Sequence, residues 1–498
     1  MYIFIAVAII IVATALWWIN DQHSLPPGPW DLPLLGFLPW LDPEHPYETL
    51  TSLAKKYGTI YTFNLGTVRT IVLSDHKIVK QAFMKDALSG RAPLYVTHGI
   101  MKGHGLICAE GELWKDQRKF TSYCLKNFGV SKFGSKRTEL ESMILKHVEN
   151  LIKEIISKMN INGTVTFDPF EDLRHSVGTL VCQLVFGRSW EKDNELWKWL
   201  LFTQEEGTKL VGVSGPLNFL PFLRFLPKYK KSMDFLVVNQ KKTHETYSRF
   251  IQEEEKVLNE LIESGKSPEP TSFVQAYLLE RQKDSKANVK DKFYSDVQLH
   301  HFLADLFGAG LDTTLTTVRW YVLYMATHPK IQDRIFEELS VLPKDRLPCL
   351  DDLPSLPYTE ASIAETQRIR SVVPLGIPHG CMEDIELDGY VLPKGSMVVA
   401  LQWAIHMDEK HWPNPDEFNP DRFINAEGRF FKPEAFIPFQ TGKRMCVGDE
   451  LARIILFLFC SSLIKTFAIS AESEPDLTGE CGITLNPKPH TLRFTLRP

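Results

Sequence analysis

The sequence predicts a predominantly α-helical α+β fold with small β-sheets, preceded by one N-terminal transmembrane helix. Three patterns carry that expectation: an apolar run at the N-terminus, one early alternating stretch, and helical periodicity over most of the chain from about Glu112. The 498 residues can bury a large core. A net charge of −5 and a pI near 6.3 give no reason to expect a nucleic-acid partner.

Tyr2 to Ile19 reads YIFIAVAIIIVATALWWI. At about 1.5 Å per residue this run reaches the lower limit of a bilayer span. Trp17 and Trp18 suit the membrane interface, and Asn20, Asp21 and Gln22 end the run. A secretory signal has a basic start and a small-residue cleavage site; neither is clear here. Residues 1–20 are therefore read as an uncleaved anchor, with a cleaved leader or a buried helix as the alternatives. LPPGPWDLPLLG follows, and 21–41 are expected to form a stiff proline-rich hinge leading into the body. Residues 42–498 read as one catalytic domain.

Pro43 to Tyr57 looks helical, and TIYTFNLGTVRTIVLSD reads as a hairpin turning at Gly66-Thr67. Thr138–Ser157 and Lys242–Glu263 are amphipathic stretches. Between them lies GPLNFLPFLRFLPKYKK, Gly215 to Lys231, whose apolar side chains suit lipid or the cover of a cavity, or else a core-facing connection. A long helix is expected from Phe293 or Ser295 to Met325. The last helix carries LARIILFLFCSSLI and reads as buried core.

The eight cysteines form no CxxC pair, which suits isolated thiols in a reducing compartment. Cys446 differs from the others. In FQTGKRMCVG, Phe439 to Gly448, it stands just before a helix start, where free N–H groups and the helix dipole favour a thiolate. Gly442 and Gly448 allow close passage of the backbone near a flat ligand and the sulfur. Arg444 is positioned to meet an anionic group. A buried structural cysteine is the alternative. Within the long helix, AGLDTT places Asp312 and Thr313 beside Gly308 and Gly310, which suggests a bent or widened groove. Bonding of those side chains back to their own helix is the plainer reading. Glu365 and Arg368 share one helix face.

FQTGKRMCVG resembles the haem-binding signature of the cytochromes P450, Phe-x-x-Gly-x-Arg-x-Cys-x-Gly, at every fixed position. The AGLDTT, ExxR, FNPDRF and WKDQR stretches also resemble marks of that family and occur in its order. The resemblance implies a microsomal haem-thiolate monooxygenase with haem b, its iron held by the Cys446 thiolate. O2 is the co-substrate, and electrons come from NADPH through NADPH–cytochrome P450 reductase, with cytochrome b5 as a further partner. It implies that Thr313 holds the oxygen being activated together with its proton donor, and that Asp312 delivers protons. Trp114, Arg118, Arg444 and His379 would meet the haem propionates. Glu365, Arg368 and Arg422 would form a buried ion network bracing the cysteine loop. Asp421 departs from the glutamate common in the FNPDRF stretch, and Gln440 fills a variable position; neither changes a ligand. Lys115, Lys119, Lys126 and Lys443 would offer a basic face to the reductase.

The same resemblance makes His98, Ile100, Met101, Phe302, Asp305, Leu306, Ala309, Val372, Val373, Leu375, Ile483 and Thr484 candidates for the substrate pocket. RIRSVVPLGIPHG and PFQTGKRMCVGDELAR look similar to the arthropod group that hydroxylates C25 of an ecdysteroid precursor, ketodiol to ketotriol. That reading implies a steroid-like substrate, contact with membrane lipid, and a cytoplasm-facing body anchored in the endoplasmic reticulum. An ecdysteroid 26-hydroxylase and an oxidase of xenobiotics or juvenile-hormone-type terpenoids share the same marks; a catalytically silent haem-binding relative is the remaining alternative, and the complete Asp312-Thr313, ExxR and Cys446 set argues against it.

Overall fold

A computed structural model describes residues 25–210, 212, 215–265, 267–287 and 293–498. The expected anchor and the start of the hinge lie outside the described residues. Among the described residues, no helix is long and apolar enough to cross a membrane.

Helix α1, Pro46–Tyr57, begins three residues later than expected because Pro46 supplies the fixed φ of a first helical turn. The alternating stretch forms β1, Ile60–Leu65, and β2, Val68–Leu73, paired antiparallel through Gly66-Thr67. Gly66 takes φ +59°, which the tight turn requires. Three short strands complete the sheet: β3, Gly90–Arg91, β4, His379–Gly380, and β5, Met397–Ala400. The order β1-β2-β5-β4-β3 joins early chain to late chain.

The proline-rich segment is not a free-standing spacer. Thr62 N–H donates to Pro27 O (2.9 Å), and Asn64 N–H donates to Asp31 Oδ2 (2.7 Å). A Cβ at Gly28 would overlap the Thr62 carbonyl. From Leu25 onward the segment lies along β1, covering an edge whose N–H groups would otherwise lack partners.

The helical body contains α2, Gly111–Asn127, α3, Ser135–Ser157, α4, Phe170–Phe186, α5, Glu195–Leu210, and α6, Pro227–Glu263. Helix α6 runs 15 residues farther toward the N-terminus than its amphipathic core suggested, and Pro227 again opens the first turn. Before it, Gly215–Lys231 divides its apolar side chains between interior and exterior. Asn218, Phe219 and Leu220 are buried, while Phe222, Phe225 and Leu226 are exposed.

Helix α7, Asp296–Thr327, crosses the centre of the molecule, packed against α4 and against α9, Asp449–Thr466. The Ser295 hydroxyl caps it by accepting from Gln298 N–H (3.2 Å). It remains helical through Gly308 and Gly310. Those glycines are explained by close packing, not by a break: a Cβ at 308 would stand 2.6 Å from Gln204 Nε2, and one at 310 would stand 3.2 Å from Val181 Cγ1. Helix α8, Pro357–Ile369, carries the paired Glu365 and Arg368. In α9 the apolar run from Ile454 to Ile464 is buried, as expected.

Candidate functional site

A cavity of about 580 Å³ lies between α7 and the loop that leads into α9, and its walls are mostly apolar. Cys446 contributes to the floor. Its accessible surface faces this cavity and is surrounded closely by protein, so burial pushes the thiol pKa up. The Gly448 N–H and the Arg118 guanidinium act in the opposite direction, while Asp449 adds to the rise. The N–H at the helix start favours the thiolate, as expected, but burial outweighs it. A cation at the sulfur would favour the charged form.

The loop is held by its backbone. Cys446 N–H donates to Phe439 O (2.9 Å), and Lys443 N–H donates to Phe83 O (3.0 Å). Gly442, at φ +80°, lies so close to Phe83 that a Cβ would strike its carbonyl. Gly442 thus serves loop docking. At Gly448 a Cβ would lie 4.0 Å from Cys446 Sγ, so this position leaves the sulfur uncrowded.

Three guanidiniums line one side of the cavity. Arg444 donates through Nε to Ser89 O (2.7 Å) and also to Ile107 O and Ala109 O, with its plane over the Trp114 ring (4.4 Å). Arg118 donates to Met445 O (2.7 Å), and Arg91 to Ile107 O (2.7 Å). Burial lowers all three pKa values, Arg444 to about 8 and Arg91 to about 10. Arg91, Arg118 and Arg444 also repel one another, with Glu110 as a nearby counter-charge. Carbonyl partners fix these cations without neutralising them. The site therefore favours a buried anion, preferably with two negative groups. A single sulfur, a mostly apolar cavity and a cationic side fit a flat metal-bearing macrocycle with two carboxylates. Among the described residues, the one group of three side chains with metal-ligand spacing is Asp75, His76 and His411, none of which lines the cavity.

His379 does not line the cavity, although Ile377 and Pro378 do. Its Nδ1–H donates to Leu88 O (2.6 Å), its ring stacks on Phe83 (3.6 Å), and burial pushes its pKa to about 3. A neutral ring with that tautomer presents Nε2 as an acceptor, so it offers no donor to an anion in this arrangement.

Asp312 and Thr313 both line the cavity. Asp312 Oδ2 accepts from the Thr484 hydroxyl (2.7 Å), and burial raises its pKa to about 6. Thr313 donates to Ala309 O (2.8 Å) within its own helix, the plainer of the two arrangements anticipated for it.

Glu365 and Arg368 are fully buried. Arg368 grips the carboxylate through Nε (2.6 Å) and Nη2 (2.8 Å), and also donates to His406 O and Pro415 O (2.8 Å each). Arg422 Nε stands 3.3 Å from Glu365 Oε1 as a charge contact, without the angle of a hydrogen bond. Its other nitrogens donate to Pro413 O and Asn414 O. The network is linked to the cysteine loop: His406 Nε2 accepts from Ile437 N–H (3.0 Å), two residues before Phe439.

Ile100, Met101, Asp305, Leu306, Ala309, Val372, Val373, Ile483 and Thr484 line the cavity as well. Three pocket candidates do not. His98 is half-exposed on the outside, Phe302 packs among Phe120, Phe273 and Tyr277, and Leu375 belongs to the core. Asp305 faces backbone: Oδ2 accepts from Leu106 N–H (2.6 Å) and Ile107 N–H (2.7 Å). Sequence reasoning missed Arg91, which stands in no recognisable motif, and also Gln204, His244 and His301. Of the lysines, Lys119 and Lys126 are exposed on α2, whereas Lys115 pairs with Glu112 (2.8 Å) and Lys443 with Asp86 (2.6 Å).

The chain matches the cytochrome P450 family over residues 26–494. It is 41% identical to cytochrome P450 306a1 of Drosophila melanogaster, over 96% of this chain and 90% of that protein. Cytochrome P450 2K4 of Oncorhynchus mykiss is 34% identical, over 95% and 92%. Cytochrome P450 18a1 of Drosophila melanogaster is 32% identical, over 98% and 90%.

Glu365→Gln keeps the shape of the network but leaves the buried Arg368 guanidinium, and the partly buried Arg422 beside it, without their counter-charge. A loss of about 3–5 kcal/mol in stability is expected, read as an earlier thermal transition and poor haem retention; wild-type values would contradict the bracing role. For Asp312 the folded pKa is raised, so its contribution to stability is full below the unfolded value and is lost as pH climbs through about 6. Asp312→Asn is expected to unfold at a higher temperature than wild type at pH 7.5, with the gap closing toward pH 5. A gap of the opposite sign would show that the carboxylate is not held against burial.

Proposed function

Because the chain belongs to the cytochrome P450 family, and is therefore a haem-thiolate monooxygenase using O2 and reductase-supplied electrons on an apolar substrate, we propose that it hydroxylates C25 of an ecdysteroid precursor. The observation that carries an elongated apolar substrate is that the mostly apolar cavity extends beyond the Cys446 loop and the three guanidiniums, between helices α6 and α7. The similarity of RIRSVVPLGIPHG and PFQTGKRMCVGDELAR to the 25-hydroxylating group supports the regiochemistry.

When bound, haem supplies the oxygen chemistry: one atom of O2 enters a C–H bond and the other leaves as water, with two electrons consumed. In this reading Cys446 Sγ would hold the iron, and Arg91, Arg118 and Arg444 would neutralise the propionates, with the Trp114 ring against Arg444. Carboxylates beside the guanidiniums would favour their charged form, so ligand and residues would stabilise each other. Thr313 Oγ1 turns from Ala309 O to hold a proton donor within the cavity. Asp312 Oδ2, with a pKa near neutrality, takes up and releases a proton while Thr484 keeps it oriented. The surrounding apolar side chains exclude bulk water, so protons reach the site by held groups.

The body is proposed to rest on the cytoplasmic surface of the endoplasmic reticulum. Trp30, Leu34, Leu35 and Trp40 are exposed near Phe222, Phe225 and Leu226. Both segments flank the β1–β2 turn: Gly66 N–H donates to Leu35 O, and a Cβ at Gly66 would meet Phe219 O at 2.7 Å. Such an apolar patch suits contact with membrane lipid. The exposed lysines of α2 suit the acidic surfaces of the NADPH–cytochrome P450 reductase and cytochrome b5.

Reconstituted with reductase, NADPH, O2 and the 25-deoxy ketodiol, the enzyme is expected to give one dominant product hydroxylated at C25, located by mass spectrometry and NMR. A C26 product would replace this reading with that of the 26-hydroxylase. No product from haem-loaded, reducible enzyme would remove the steroid reading altogether.

A further inference from the structure

Most polar side chains in the cavity wall are occupied by protein partners. Thr97 donates to Ala92 O (2.7 Å), Asn239 donates to Phe235 O (2.9 Å), and Thr208 donates to Gln204 O (3.0 Å). Thr203 of α5 and Gln440 of the cysteine loop are exceptions, and a pair of imidazoles without side-chain hydrogen bonds stands where α6 crosses α7. His244 of α6 and His301 of α7 both line the cavity, their ring centres 4.8 Å apart and nearly perpendicular. Neither imidazole makes a hydrogen bond among the described residues. Gln240, one turn before His244, makes only a weak contact with Met101 Sδ (3.7 Å).

Burial lowers the pKa of His244 to about 4 and that of His301 to about 3. His104, His300 and Lys102 face the same cluster and reinforce the drop for His301. Both rings are neutral near pH 7, so each offers one donor and one acceptor. Ring packing accounts for their flat faces: His301 stacks on His104 and His244 on His300. It does not satisfy their nitrogens, which remain available to a ligand in the cavity.

The spacing defines that ligand. His301 and Thr313 lie on the same helix, twelve residues apart, which is about 18 Å along the axis at 1.5 Å per residue. We propose that His244 and His301 form a hydrogen-bonding station for a hydroxyl or ketone at the far end of an elongated apolar substrate, so that its opposite end is presented to Thr313. The proposal deepens the steroid reading, on which it rests: the oxygen-bearing ring binds at the α6–α7 crossing, and the hydrocarbon side chain points along α7 to Thr313. Gln240 is the nearest supplement to the two imidazoles.

The test is a spectral titration of the full-length holoenzyme, following the haem absorbance shift on ligand binding. The two probes are a sterol with a 3-hydroxyl and the same skeleton without it. Wild type is expected to bind the alcohol roughly 10-fold more tightly than the deoxy compound. His301→Phe and His244→Phe each keep an aromatic ring and are expected to erase most of that preference. His301→Gln, which retains a donor and an acceptor, is expected to preserve it. A normal carbon-monoxide difference spectrum certifies each variant as folded and haem-loaded. Preference retained in both Phe variants would overturn the station while leaving the steroid reading intact. Failure of wild type to bind either sterol would overturn the steroid reading and the station with it.

Discussion

The buried pairing of Glu365 with Arg368 is the constraint on which the site depends. A fully buried carboxylate is unfavourable on its own, and burial does raise the Glu365 pKa, with the Arg368 fork opposing the rise. The remaining Arg368 donors then fasten His406 O and Pro415 O, so one ion pair ties α8 to two stretches of irregular chain. His406 is itself neutral because burial drives its pKa to about 3, which leaves Nε2 able to accept from Ile437 N–H. From Ile437 the chain runs directly into Phe439 and the turn at Gly442. The position of the Cys446 sulfur is thus set by charge buried on a neighbouring helix, together with the seat that Phe83 provides beneath Gly442.

That fixed sulfur stands near a second electrostatic imbalance. Burial disfavours a thiolate at Cys446 and full protonation at Arg91 and Arg444. The opposite charges nearby, Arg118 for the sulfur and Glu110 for the guanidiniums, do not offset the burial. A metal cation at the sulfur and carboxylates at the guanidiniums relieve both at once. The same low-polarity surroundings raise the Asp312 pKa to about 6.

Much of this was legible in the sequence, for identifiable reasons. Cys446, Asp312, Thr313, Glu365 and Arg368 stand in short motifs, and each motif lies within or beside one helix, so local spacing carries the geometry. The hairpin at Gly66 and the buried run in α9 were readable from periodicity alone. Features built from contacts distant in sequence were not. Gly308 looks like a helix defect until Gln204 of α5 is seen beside it, and the LPPGP segment looks like a spacer until its carbonyl meets Thr62. Helix α6 was read short because charged residues in its first half hide its periodicity. His379 was assigned by its motif to an anion, whereas Leu88 O takes its proton. Arg91, His244 and His301 have no local signature; only the cavity brings them to one surface.

X-ray absorption at the iron edge of the purified holoprotein tests the central claim most directly, because it reads the metal's ligands without reference to substrate. One sulfur scatterer is expected in the native protein and none in Cys446→His. A native spectrum without sulfur, or a sulfur signal that survives the substitution, would contradict the assignment of Cys446 as the iron ligand.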